Sequence, residues 1–254
     1  MTEGGAVEAA AELQSIVKTL SGTRVLEGVS LSLARGRVHA LVGPGGSGKT
    51  LILKTLCTLL PPDDGKVVLF GEQVNFDDQD GLRHLRSRIG VQFQNLALFD
   101  FLAVRDNVAF PLEAGTSVRP KVEVDGLVQS ILDDVRLHDS GTLEIQELSG
   151  GMQRRVAVAR AAVSDADLLV FDDPSGGLDP VTTSRIFALI AGIHASRGNT
   201  VIIVSHDIDR LARVCSDFHV VDSGQVIFSG TLADGRVHPD MRVRTFLDVP
   251  DERP

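Results

Sequence analysis

A nearly apolar run, Val38 to Val42, leads without a break into Gly43-Pro44-Gly45-Gly46-Ser47-Gly48-Lys49-Thr50. The next residues, Leu51 to Leu60, read as a buried helix stopped by Pro61-Pro62. A strand, a glycine-rich turn and a helix, in that order, make a cradle for a polyphosphate. The glycines let the backbone curl so that successive N–H groups point inward. The helix brings the positive end of its dipole to the same place. In such a loop Lys49 reaches the β- and γ-phosphates and the Thr50 hydroxyl ligates Mg2+. The strand must then end at an open sheet edge, which points to an α/β fold.

The rest of the chain agrees. Val29 to Leu33 alternates apolar and polar residues, as a half-buried strand does. Lys66 to Phe70 reads as a strand bounded by Gly65 and Gly71. Leu168 to Phe171 and Val201 to Val204 are short apolar runs after helical stretches, which predicts a parallel sheet with helices on both faces. Phe218 to Val221 and Val226 to Phe228 flank Asp222-Ser223-Gly224 and read as a hairpin. Residues 95 to 150 lack strand signals and read as helices with loops. Residues 1 to about 12 read as a loose leader, and Pro250 to Pro254 as a frayed tail.

Composition removes several alternatives. The 254 residues are 43% hydrophobic, enough for one large or two small domains. The net charge of −9 argues against nucleic acid as a partner, since that needs a basic face. Cys57 and Cys215 sit far apart among apolar residues, so no disulfide framework is expected and a reducing compartment fits. No uncharged apolar run reaches the ~18 residues of a membrane span. The first residues lack the basic region of a signal peptide. With no Trp or Tyr, the eleven Phe supply the aromatic packing.

Leu168-Leu169-Val170-Phe171-Asp172-Asp173 puts two carboxylates at the end of a buried strand, on the edge where open α/β sheets bind ligands. Beside a phosphate loop, Asp172 is placed to hold Mg2+ through water, and Asp173 to lie near the γ-phosphate.

Leu148-Ser149-Gly150-Gly151-Met152, followed by Gln153-Arg154-Arg155, resembles the signature motif of ABC-type ATPases. Gln94 is similar to the Q-loop glutamine of that family. Ser175-Gly176-Gly177-Leu178-Asp179-Pro180 resembles its D-loop, and His206 its switch histidine. The motifs stand in the family's order from residue 43 to residue 206, and the resemblance covers about Leu13 to Asp248.

It implies a P-loop NTPase with a RecA-like core, a small antiparallel β-subdomain and an inserted α-helical subdomain. Core and β-subdomain would span 13–94 and 156–230, the helical insert about 95–155, and a C-terminal extension 231–254. It implies an ATPase using ATP and Mg2+, with Thr50, Gln94 and Asp172 at the metal and Asp173, His206 and Gln94 in catalysis. It also implies head-to-tail pairing of two copies. Each ATP would then lie between Gly43–Thr50 of one copy and Ser149, Gly150, Gly151 and Asp179 of the other, a second N–H cradle closing on the γ-phosphate.

Three positions depart from the family pattern. Asp173 stands where Glu is usual and is one methylene shorter, so slow hydrolysis is expected unless the backbone compensates. Leu20 occupies the place of the aromatic that stacks on adenine, which removes the π-face. Met152 replaces the commoner Gln. The run Gln92 to Leu112 resembles the ATPases of MCE-type lipid transporters, the Mla phospholipid system among them. This implies an integral-membrane permease and an MCE-domain protein as partners, and a peripheral place on the cytoplasmic face of the inner membrane. An amino-acid or osmolyte importer, and a soluble ABC regulatory protein, are the alternative readings. Phe93, Phe99, Phe101 and Phe110 lie close in sequence and suit either an insert core or an exposed groove for a permease helix.

Overall fold

A computed structural model of the chain describes residues 8–114 and 119–248. Its centre is a six-stranded sheet in the order β10-β9-β3-β8-β7-β6. Here β3 is Val38–Val42, β6 Ile89–Gln92, β7 Leu168–Asp172, β8 Thr200–Val204, β9 Asp217–Asp222 and β10 Gln225–Gly230. Neighbouring strands from β9 to β6 run parallel, and β10 pairs antiparallel at the edge through the expected hairpin. Every residue of β3, β7 and β8 is buried, as in a sheet covered on both faces.

The two faces build two cores. Ala40, Val42, Leu169, Phe171, Val201 and Ile203 face one. That face is covered by α3 (Val104–Glu113), α5 (Gly150–Ala162), α6 (Pro180–Arg197) and their neighbours. Leu41, Leu168, Val170, Ile202 and Val204 face the other. It packs against α1 (Lys49–Leu56), α2 (Gln79–Ser87) and a second, antiparallel sheet. Each fully buried Leu, Ile or Val contributes about 1.5–3 kcal/mol. The second sheet runs β2-β1-β4-β5, with β1 Ala9–Leu20, β2 Thr23–Ala34, β4 Asp64–Leu69 and β5 Glu72–Gln73.

Several expectations need correction. Residues 9–12 are not a leader: they begin β1, and Ala11 pairs with Leu33 on one side and Leu69 on the other. An Ala-rich run carries little strand propensity, so pairing with two partners decides its state. Residues 1–7 and the Pro250–Pro254 tail lie outside the described residues. The helix after the phosphate loop ends at Leu56 rather than Leu60. Thr58 turns left-handed at φ 57°, and Leu59 and Leu60 both donate back to Lys54 O. The strand expected to end at Phe70 stops at Leu69, with Phe70 in the turn at φ 54°. β1, β6 and α2 gave no clear signal in the sequence.

Two histidines are buried where β3, β9 and β10 meet. His39 Nε2 lies 3.0 Å from Ala34 O, His39 Nδ1 3.1 Å from His219 Nε2, and His219 Nδ1 2.9 Å from Ser229 Oγ. A carbonyl can only accept, so His39 Nε2 donates, His39 Nδ1 accepts from His219, and Ser229 donates to His219. Both rings are satisfied while neutral. Burial holds both below the usual 6.5, His219 at about 3, and each ring therefore takes up its proton more readily when unfolded. The stability that His219 contributes is complete above pH ~6.5 and is lost progressively as pH falls from there toward ~3, at up to ~1.4 kcal/mol per pH unit, and His39 acts in the same direction. Thermal melts between pH 7 and pH 5 should show that loss, and His39→Gln/His219→Gln should flatten it. An equally steep loss in the double variant would contradict the assignment.

Candidate nucleotide site

The phosphate loop sits where β3 passes into α1. Gly43, Gly46 and Gly48 have φ of 144°, 76° and 106°, which only glycine adopts readily. A side chain at Gly43 would put its Cβ 1.9 Å from Val221 O, and one at Gly48 would put it 2.8 Å from a Leu26 methyl. The two ends of the loop thus leave no room for a side chain, while Gly45 and Gly46 at its tip are open on that side. The Lys49 ammonium lies across it, donating to Gly43 O at 2.9 Å and Pro44 O at 2.7 Å. That places the cation on the concave side, where a phosphate oxygen could take over from the carbonyls.

The acidic strand end joins the loop. Thr50 Oγ1 donates to Asp172 Oδ2 at 3.2 Å, across 122 residues of sequence. Burial pushes the Asp172 carboxyl up, with the Thr50 bond pulling it back and the Asp173 charge adding to the rise. Burial pulls the Lys49 ammonium down, and Asp172 opposes that. A hydroxyl beside a buried carboxylate suits a hard cation such as Mg2+, which would take further ligands from phosphate oxygens and water. Among the described residues no cluster of three His, Cys, Asp or Glu could bind a metal alone. Mg2+ would therefore need the phosphates as ligands.

Asp173 follows in the left-handed region at φ 47°, a strained place for a non-glycine residue. Its N–H donates to Val204 O at 2.9 Å, and its carbonyl accepts from Arg154 Nη1 and Gly176 N, each at 3.3 Å. Its carboxylate leans over Gly176, where a Cβ would meet Oδ2 at 2.2 Å. Asp173 shares a cleft of about 660 Å3 with Ser175, Gly176, Ser205, His206 and Asp207. His206 is exposed at the mouth, just past β8.

Leu178 also lines that cleft, whereas Ser149, Gly150, Gly151 and Asp179 do not. Ser149 caps α5, accepting from Met152 N at 3.3 Å. Capping leaves the N–H groups of the first helical turn, those of Gly150 and Gly151, without intrahelical partners. Ser149, Gly151 and Asp179 line a second cleft, of about 770 Å3, between α5 and α6. Gly43 to Thr50 line neither cleft. Leu20 ends β1 at the hairpin with β2, 39% exposed. Gln94 is exposed just beyond β6. The loop after it is pinned by Arg160 of α5, which donates to Leu96 O at 2.5 Å and Ala97 O at 2.7 Å. Two residues here stand in motifs named above, yet sequence patterning assigns neither a role of its own. Arg154 binds the carbonyls of both Asp173 and Gly176. Gln92, a polar residue at the end of a buried strand, is 1% exposed; its polarity in that place was the available signal.

A phosphate loop at the end of β3, with acids at the end of β7 two strands away in the same parallel sheet, defines a P-loop nucleotide-binding protein. Comparison with known proteins narrows this. Residues 26–176 match the family described as ABC transporter. The chain is 33% identical over 237 residues to the intermembrane phospholipid transport system ATP-binding protein MlaF of Escherichia coli (strain K12), covering 93% of this chain and 88% of that protein. It is 36% identical over 228 residues to the methionine import ATP-binding protein MetN of Caulobacter vibrioides, covering 89% and 68%. A dimeric ATP-binding cassette, MJ0796, solved in a post-hydrolysis state with ADP and Pi, superposes with a TM-score of 0.80 at 28% identity, covering 87% and 98%. The chain belongs to the ABC transporter family and is its ATP-hydrolysing cassette.

Proposed function

We propose that the chain energises a membrane transporter of phospholipids or related lipids. The observation that carries this is the likeness to MlaF over 93% of this chain, joined to the resemblance of the Gln92 to Leu112 run to the ATPases of MCE-type lipid transporters. An exposed aromatic cluster supports a permease partner. Phe99 packs at a tilt against Phe110 and Phe101 with ring centroids 4.7 and 5.8 Å apart, and Phe101 is 82% exposed. Solvated phenyl rings on the segment 95–155, read as the helical insert, suit an apolar partner helix. Among the described residues no helix is long and apolar enough to cross a membrane, so the chain would sit on the cytoplasmic face through that permease. An MCE-domain protein is the further partner.

In this reading Gly43, Pro44, Gly45, Gly46, Ser47 and Gly48 wrap the phosphates of ATP and Lys49 bridges the β- and γ-groups. Leu20 offers adenine an apolar contact. Thr50 and Asp172, with Gln94 from the next loop, would hold Mg2+, which when bound neutralises charge on the phosphates. Asp173 orients the attacking water in line with the γ-phosphate, and His206 lies across the cleft from it. Ser149, Gly150, Gly151 and Asp179 complete the site of a second, head-to-tail copy. The separate clefts of a single chain support that pairing, as does the dimeric MJ0796 cassette.

The test is reconstitution. The chain, co-purified with its multi-span partner and placed in liposomes, should move a fluorescent phospholipid only with ATP, and Lys49→Ala should stop it. ATP-driven methionine or amino-acid uptake, with no lipid movement, would replace the lipid reading by an importer.

A further inference from the structure

We propose that Gln92 is a positioning residue for hydrolysis: its amide ties the strand end that carries Asp173 to the loop that carries Gln94. The inference rests on the role of Asp173 given above. Gln92 is the last residue of β6 and lies opposite Phe171 of β7 in parallel register. Its Nε2 donates to Phe93 O at 2.6 Å and makes a longer contact to Asp172 O at 3.4 Å. Phe93 O begins the peptide into Gln94, and Asp172 O begins the peptide into Asp173. One side chain thus reaches the peptide before each of two proposed catalytic residues.

The Asp172–Asp173 peptide is held from both sides. Gln92 approaches its carbonyl from β6, and Val204 O of β8 accepts its N–H at 2.9 Å. That peptide leads into the strained Asp173 at φ 47°. A left-handed non-glycine residue persists only where its surroundings over-determine it, and the plane of the preceding peptide decides where the carboxylate points. Without the Gln92 contact one of the two ties is gone. Asp173, shorter than the usual Glu, has little reach to spare, and a shift of about 1 Å can cost on the order of 100-fold in rate. The 3.4 Å contact is long for a hydrogen bond, and such contacts tighten when a catalytic site fills.

Packing alone does not account for this glutamine. Its Oε1 is buried and has no partner among the described residues. An unpaired buried acceptor is unfavourable, and an apolar residue of the same shape would avoid it. Exchanging the amide ends would aim Oε1 at two carbonyls, which only accept, so the orientation is fixed. The donor end is therefore what the site uses.

The experiment compares the purified full chain with Gln92→Met and Gln92→Glu. Gln92→Met keeps the shape and removes the donor. Turnover should fall about tenfold, with KM for ATP unchanged and Tm unchanged or higher. A purely structural role would lower Tm and leave turnover alone, and that result overturns the proposal. Gln92→Glu supplies a second reading. Its protonated carboxyl can donate to one of the two carbonyls, whereas its carboxylate is repelled by both. Relative to the parent chain its turnover should rise as pH falls, and a pH profile parallel to the parent's overturns the proposal as well. Asp173→Asn separates the two levels. If that variant remains active, the role of Asp173 fails; if it is inactive while Gln92→Met turns over normally, only the positioning role fails.

Discussion

Lys49→Ala is expected to lower ATP affinity by two to three powers of ten. In the structure the ammonium donates to Gly43 O and Pro44 O on the concave side of the loop. In the proposed site those donors would go to phosphate oxygens, and charge-assisted bonds of this kind are worth about 1.5–3 kcal/mol each. Losing two gives about 3–4 kcal/mol after partial compensation by water, and each 1.4 kcal/mol is tenfold in affinity. Titration with a fluorescent ATP analogue measures the effect. An affinity within threefold of the parent chain would mean that the loop does not hold the phosphates.

Asp173→Asn should leave ATP binding within about threefold and reduce phosphate release by at least about 100-fold, since a neutral amide cannot draw the proton of an attacking water. The nucleotide is then not consumed, and the ATP-bound pair should accumulate as a dimer on sizing columns. Ser149→Arg in the same background should return it to monomer, because a bulky cation would fill the partner's γ-phosphate site. Asp173→Glu is expected to go the other way, raising turnover about tenfold, because the open cleft around Asp173 has room for one more methylene. A fall instead would mean that Gln92, Gly176 and the left-handed backbone have fitted the site to the shorter acid. Full activity in Asp173→Asn would move the water-orienting role to His206 or Gln94.

The two variants probe features of different legibility. The Lys49 loop could be read directly, because its conformation is local. Glycines at 43, 46 and 48 are what backbone angles of that sign require, and the strand before and the helix after lie within twenty residues. The acids at 172 and 173 were legible for the same reason, as the end of an apolar run. The bond from Thr50 to Asp172 was not, since nothing in either segment records that they meet.

The order and spacing of the motifs from Gly43 to His206, together with the apolar runs of β3, β7 and β8, determined the class of fold and most of the candidate site. Tertiary structure decided the rest. It made a strand of Ala9 to Leu20, which lies between two partners, β2 and β4, that supply its hydrogen bonds. It left Phe101 in solvent while burying Val104, Val108 and Leu112 a turn or more away, although all four are apolar. It set Ser149 and Asp179 on one cleft and Asp173 and His206 on another, a separation that motif order does not carry. It turned Gln92 inward against two carbonyls. In each case the deciding free energy comes from groups far apart in sequence, whose meeting depends on the register of the central sheet and the packing of helices on its faces.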